Sequence, residues 1–226
     1  MSGICLVERE DSGLVTALRA HGLDVRRGAR FLPGADNLVT AAPPVELQPL
    51  AQLDPNRWLE RFEHWLEEPF LAAQAWLRDV LEREVPGRWV AVTTTLGTQP
   101  FPGGGAVGAF SAALHTLVSV TALEYGRHGV RANAVAPGFR EGESPNWVDV
   151  ERAAADTPAG RLARPEDVAG AVTWLLSGSA EHVNGEVIRV DGGFTIARGA
   201  APAPSEDAEE WLLDPRWRGI ARGGAD

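Results

Sequence analysis

The chain has 226 residues and 44% apolar content, enough for one domain with a sizeable core, and this composition excludes disorder and collagen-like structure. A formal net charge of −10 argues against a nucleic-acid or anionic-membrane partner, which would need a basic footprint. The single cysteine, Cys5, excludes an intramolecular disulfide and a cysteine-built metal site.

Taken in chain order, the apolar run from Ile4 to Val7 reads as a strand, with Cys5 buried in it. A helix follows over 12–21, stopped by Gly22. Strand-like pieces surround Val25 and cover Asn37, Leu38, Val39, Thr40 and Ala41. Over 54–84, Trp58, Phe62, Trp65, Phe70, Ala73, Leu77 and Val80 form an apolar stripe at helical spacing, and Pro69 should kink or divide that helix. The β-branched run 88–94 reads as a buried strand, followed by a glycine loop at Gly103, Gly104 and Gly105. Phe110, Leu114, Leu117, Val118, Thr121 and Tyr125 line one face of a long helix ending near Gly129. A buried strand over 130–136, a helix opened by Pro165 and running to about Leu176, and a last strand over 186–190 complete the pattern. Strands alternating with helices predict an α/β fold, a Rossmann-like doubly wound parallel sheet with helices on both faces. The expected organisation is one domain over 1–196, then a linker and an acidic, Trp-containing tail over 197–226. The N-terminus lacks the layout of a signal peptide and no run approaches the length of a membrane span, so a cytoplasmic protein is expected.

Two segments carry a more specific signal. One is Tyr125-Gly126-Arg127-His128-Gly129-Val130-Arg131-Ala132-Asn133-Ala134-Val135-Ala136-Pro137-Gly138. The other starts at Gly160-Arg161-Leu162-Ala163-Arg164-Pro165-Glu166-Asp167-Val168-Ala169 and continues through Asn184-Gly185-Glu186 to Val190-Asp191-Gly192-Gly193. Together they resemble the classical short-chain dehydrogenase/reductase family over roughly 37–196. The resemblance implies a serine at a central strand end, then a tyrosine that moves the substrate proton, then a lysine one helical turn on that lowers the tyrosine pKa. On this register Thr94 stands at the serine position, Val107 at the tyrosine position and Ser111 at the lysine position. The family's further asparagine maps near Trp65. Valine has no proton to give, and the chain has no lysine, all 21 basic residues being arginine. Pro137 and Gly138 are retained.

The family's glycine-rich turn, whose backbone amides hold a dinucleotide pyrophosphate, corresponds to Val7-Glu8-Arg9-Glu10-Asp11-Ser12-Gly13-Leu14-Val15. Only Gly13 survives of three glycines, Arg9 and Val15 replacing the others. Glu8, Glu10 and Asp11 place negative charge where the pyrophosphate would lie. The interval from Gly13 to Asn37 is also short, as though about one strand and one helix were missing. No cofactor is therefore expected in this chain, and NAD(P) is expected in an active partner. Arg26 and Arg27 read as a solvated strand end.

The elements over 54–84, 107–127, 165–176 and 186–190 match those through which the family packs against other subunits. They look intact, and eight tryptophans suit interface anchors; the partner expected through them is an active subunit of that family or a second copy of this chain, as a dimer or tetramer. His64, His115 and His128 are isolated in sequence; Ser111 and His115, one turn apart, suggest a hydrogen-bonded pair without a third orienting group. No metal-ligand spacing stands out. The expectation drawn from this is a non-catalytic subunit supporting an active short-chain dehydrogenase in a heteromeric complex that acts on hydroxy or keto acyl-thioester-type substrates. The alternatives are a repurposed pocket using Thr94, Ser111 or His115 as a cyclase, dehydratase or isomerase, and an atypical NAD(P)-dependent reductase.

Overall fold

The computed structural model describes residues 3–8, 13–142 and 148–198. The expected acidic tail beyond residue 198 and Arg9, Glu10 and Asp11 lie outside the described residues. Six parallel strands form one sheet in the order β2-β1-β3-β4-β5-β6. They are β1 (Ile4–Val7), β2 (Val25–Gly28), β3 (Asn37–Ala41), β4 (Gly87–Val92), β5 (Val130–Pro137) and β6 (Val187–Val190). Each strand of the reading is present, and the fold is the doubly wound Rossmann-like one.

Alternation along the strands makes two cores. Ile4, Leu6, Val39, Val90, Val92 and Val135 face α1 (Leu14–Ala20) and, through Val168, Val172 and Leu175, a second helix on that side. Cys5, Val7, Leu38, Trp89, Ala91 and Ala134 face the opposite layer, which supplies Trp76, Val80 and Val118. Nearly every residue of β1, β3, β4 and β5 is buried, as both faces of a covered parallel sheet require, while the edge strands β2 and β6 are largely half-buried or exposed.

The stripe over 54–84 is divided, as Pro69 implies. α2 (Pro55–Phe62) is capped by the Asp54 side chain, which accepts from the Asn56 and Arg57 amides. A π turn, Glu63–Glu67, leads into α3 (Glu68–Glu82), with Pro69 at its start. The proline has no N–H for the preceding turn and its ring crowds the carbonyl four residues back, and the wider turn takes up that misfit. α4 (Gly105–Tyr125) packs on β5. By length and composition this helix could span a membrane, a point the sequence reading missed, but 44% of its apolar window is buried within the fold. α5 (Val150–Asp156), capped by Asp149, was not anticipated. α6 (Pro165–Leu175) and α7 (Phe194–Arg198) complete the described helices.

Between β2 and β3 the chain crosses over β1 through residues 29–36 without a helix. This is where the sequence interval is short, and β2 is consequently an edge strand. The sheet changes direction of winding between β1 and β3, and the crevice outside their C-terminal ends is the place where folds of this kind bind ligands.

Candidate functional site

Thr94 follows β4 directly and caps a 3-10 turn over Thr95–Gly97, its Oγ1 accepting from the Leu96 amide at 3.4 Å. It is buried, and with Gly138 at the end of β5 it lines a cleft. Polar side chains of Thr95, Gln99, Arg140 and Thr195 share that lining with an apolar wall. Phe101, Phe139 and Phe194 make much of this wall, packed edge to face with ring centroids 5.4 and 5.6 Å apart. Gly138 approaches Asp191 closely: a Cβ on it would lie 3.0 Å from the Asp191 Cβ. The Gly138 amide donates to the Val190 carbonyl, extending the β5–β6 pairing to the cleft floor.

Val107 and Trp65 come together in one apolar cluster with Ala42, Ala106 and Phe110. Trp58 packs on Phe110 at a tilt of 55°, with centroids 4.7 Å apart. The position matched to the family's tyrosine is therefore filled by hydrocarbon. Ser111 is fully buried, and its Oγ has no hydrogen-bond partner. The expected Ser111–His115 pair does not form. Instead the His115 Nε2 lies 2.9 Å from the Thr93 Oγ1, because the α4 turn bearing both residues packs under Gly97, where a Cβ would meet them at 2.7 and 2.8 Å. Burial pushes the His115 pKa down. Thr93 was missed by the sequence reading, although its place directly before Thr94 on the strand end was the available signal.

At the other end of the site, Glu8 is buried and its carboxylate meets the Arg27 guanidinium at 3.0 Å. Arg27 is thus a partner for Glu8 and not simply a solvated strand end, and it counters the negative charge that the sequence places there. Val15 turns into the core beside Leu14 and Leu18. It does not stand over the turn as a block, since α1 begins one residue earlier and aims it at the sheet. Gly13 keeps a left-handed backbone, φ 75°, against Pro165. Glu63, His64 and Glu68 bring their ligand atoms within 4.8 Å of one another around the π turn, a grouping the spacing did not reveal; Glu63 and Glu68 are already engaged in interactions of their own.

A family model described as "Enoyl-(Acyl carrier protein) reductase" matches residues 28–195. The chain belongs to the short-chain dehydrogenase/reductase family. It is 33% identical over 179 residues to the probable 2,4-dienoyl-CoA reductase of Bacillus subtilis, covering 75% of this chain and 69% of that protein. It is 32% identical over 164 residues to the 3-oxoacyl-[acyl-carrier-protein] reductase FabG of Vibrio cholerae, covering 71% and 67%. The chain thus spans about two thirds of the length of these curated relatives. Its fold is that of the acetoin dehydrogenase YohF from Salmonella typhimurium, with TM-score 0.74, 23% identity, and 88% and 99% of the two chains covered.

These relatives are named as reductases and dehydrogenases, which overturns the expectation of a non-catalytic subunit supporting an active partner in a heteromeric complex. The structure offers a reason for the error. Val107 and Ser111 are buried outside the lining of the cleft, while the strand ends, Thr94 and the cleft beside Gly138 remain assembled. The nicotinamide dinucleotide that the family implies fits the described frame. Glu8 is paired with Arg27, Val15 is withdrawn into the core, and Gly13 keeps its left-handed backbone.

Proposed function

We propose that this chain is an atypical nicotinamide-dependent oxidoreductase acting on a small carbonyl or hydroxyl compound in the cleft at the ends of β4 and β5. The observation that carries the reading is the placement of the Thr94 hydroxyl in that cleft beside Gly138. Residues that would hold the dinucleotide are Gly13 at the β1 turn, and Pro137 and Gly138 at the end of β5. Bound there, it supplies a hydride to the substrate carbon or accepts one from it.

The chain's own residues orient the substrate. The Thr94 Oγ1 takes a long bond from the Leu96 amide, which leaves its own proton to donate to the substrate oxygen. No phenol stands at position 107, so the proton that completes an alcohol enters with water through the mouth of the cleft. Without a positioned acid the rate falls below that of a tyrosine-equipped site, such an acid contributing about 10²–10⁴-fold. Apolar residues left exposed on the α3 and α4 surfaces, Leu71 and Leu123 at 52% and 84%, support assembly with a second copy of the chain.

The test is turnover of a panel of small ketones and alcohols by the purified chain with NADH, NADPH and their oxidised forms. Slow cofactor-dependent turnover is expected, with Thr94→Val losing about a hundred-fold, the scale of one lost donor to a developing oxyanion, and Thr94→Ser retaining most of it. Absence of turnover across the panel, together with absence of dinucleotide binding by fluorescence, would overturn the proposal.

A further inference from the structure

We infer that the groove between the helix-free crossover and α3 is the seat of this chain's own residues 206–217. Ala29, Arg30 and Phe31 of the crossover form one side of it, and Leu71, Ala72 and Ala75 of α3 form the other. It measures about 460 Å³, within the roughly 300–1,000 Å³ of sites that take a sizeable ligand. Leu71 is 52% exposed, and Ala75 is exposed too. A covered parallel sheet carries helices over both faces, yet the crossover over 29–36 places no helix beside α3. The Leu32 amide, bonded to the Cys5 sulfur, holds that loop on the α3 side of the sheet.

The sequence beyond Arg198 supplies a segment of matching character. Ala208, Trp211 and Leu212 fall at the spacing of one helical face, behind a linker that carries Pro202 and Pro204. Its charges are segregated: Glu206, Asp207, Glu209 and Glu210 precede Trp211, while Arg216 and Arg218 follow Leu213. The groove carries the same two signs on its two sides. Arg30 stands on the crossover side, with Arg26 exposed on the strand that leads into it, and Glu67 stands on the π turn opposite. Glu63 and Glu68 line that side as well but hold interactions of their own, so the complementarity rests on Arg30 and Glu67.

The linker is long enough to bring the two together. α7 lines the cleft through Phe194 and Thr195, so the described chain ends near the C-terminal edge of the sheet. The groove opens on that same edge, since Ala29 follows the last residue of β2 and α3 runs back toward the start of β4. From β6 to β2 there are five strand spacings, about 24 Å. The twelve residues 199–210 span roughly 37 Å in the extended form that proline favours. A short tether holds a segment at about millimolar effective concentration, so a groove of modest affinity captures it.

Hydrogen exchange of the full chain, followed by mass spectrometry, reads the docking directly. Amides over 206–217 should exchange at least about ten-fold more slowly than those over 200–205, at every protein concentration. Ala75→Glu, at an exposed helix position, should bring 206–217 to the linker rate while β4 and β5 keep their protection. Arg30→Glu should speed the same amides, and adding Glu209→Arg and Glu210→Arg to it should restore the slow exchange. Linker-like exchange over 206–217 in the unaltered chain, or slow exchange that survives both Ala75→Glu and Arg30→Glu, would overturn the inference. Slow exchange that appears only as concentration rises would seat the segment on a second copy and overturn it as well. Should Ala75→Glu expose β4 and β5, the charge reversal decides: restored protection supports the groove, and its absence refutes it. No cofactor or turnover enters the readout, so its outcome is independent of the activity proposed above.

Discussion

His115 shows how a buried side chain ties this site to solution conditions. Its ring is buried, bonded to the Thr93 hydroxyl, and burial pushes its pKa below the usual imidazole value. The unfolded chain takes up the proton near the ordinary value of about 6.5, while the folded chain holds the ring neutral to lower pH. Below that value the unfolded state binds more protons, so the stability present above about pH 6.5 is lost as pH falls toward the folded pKa. Asp167, whose bond from Arg161 holds its carboxyl below the usual range, loses its contribution only at more acid pH. Burial pushes Asp191 up, but bonds from Thr195 and Gly193 outweigh it and hold that carboxyl low as well. The interval from about pH 6.5 to 5 therefore isolates the histidine. Urea midpoints measured across it should fall for the unaltered chain and stay flatter for His115→Gln; parallel slopes would remove the assignment. At this scale the sequence was readable wherever identity alone decides, as with the missing lysine and the valine at 107. It was not readable where a side chain's direction decides. Whether Val15 faces phosphate or core, whether Arg27 meets Glu8, and whether Ser111 or Thr93 meets His115 all depend on helix phase and strand register, which identity does not encode. Arg140 was missed because the likeness draws attention to Pro137 and Gly138, and nothing local marks a buried arginine.

Among the elements, β4 illustrates how tightly the layers are matched. It opens at Gly87, where a Cβ would lie 2.7 Å from Trp76 Cζ2, 2.9 Å from the Asp36 carbonyl and 3.2 Å from Val80 Cγ1. Trp76 is fully buried on α3 and donates its indole N–H to that same Asp36 carbonyl at 3.1 Å. A methyl there has no flexible neighbour to displace, since the carbonyl belongs to the backbone leading into β3. Gly87→Ala should therefore cost about 1–3 kcal/mol, the usual penalty of overpacking. Gly178→Ala, where nothing lies within 4 Å, should be close to neutral. Thermal or urea melts of the two variants read the difference directly, and equal stabilities would mean that α3 gives way more easily than its packing suggests. Apolar periodicity made all six strands and the principal helices legible, because burial on one face leaves a regular trace. The π turn and the short α5 left no such trace, whereas the helix-free crossover over 29–36 showed only as a short interval before Asn37. Each is set by a local misfit or a cap, or by what the neighbouring layer leaves uncovered.

For the molecule as a whole, Cys5 is a built-in reporter of how the two cores open. The residue is entirely buried on β1, flanked by β2 on one side and β3 on the other. Its sulfur accepts from the Leu32 amide at 3.3 Å, which ties the crossover loop down over the strand. Burial pushes the thiol pKa up, so both the thiolate population and reagent access are suppressed in the folded chain. Two routes could expose it: peeling of the edge strand β2 with its loop, or separation of α3 and α4 from the sheet. Cys5 belongs to the same cluster as Trp76, Val80, Trp89 and Val118, so its side chain points away from the α1 layer and beneath the larger helices. Loss of the four-residue edge strand alone leaves that cover in place. Exposure thus requires the helical layer to lift, which is global unfolding. Labelling by a thiol reagent under native conditions should then be slow, and should accelerate with urea at the same slope as equilibrium unfolding. A markedly shallower urea dependence would show that β1 and the shortened N-terminal edge open as a separate unit, and would place the weakest part of this fold beside the crevice where the dinucleotide is proposed to lie.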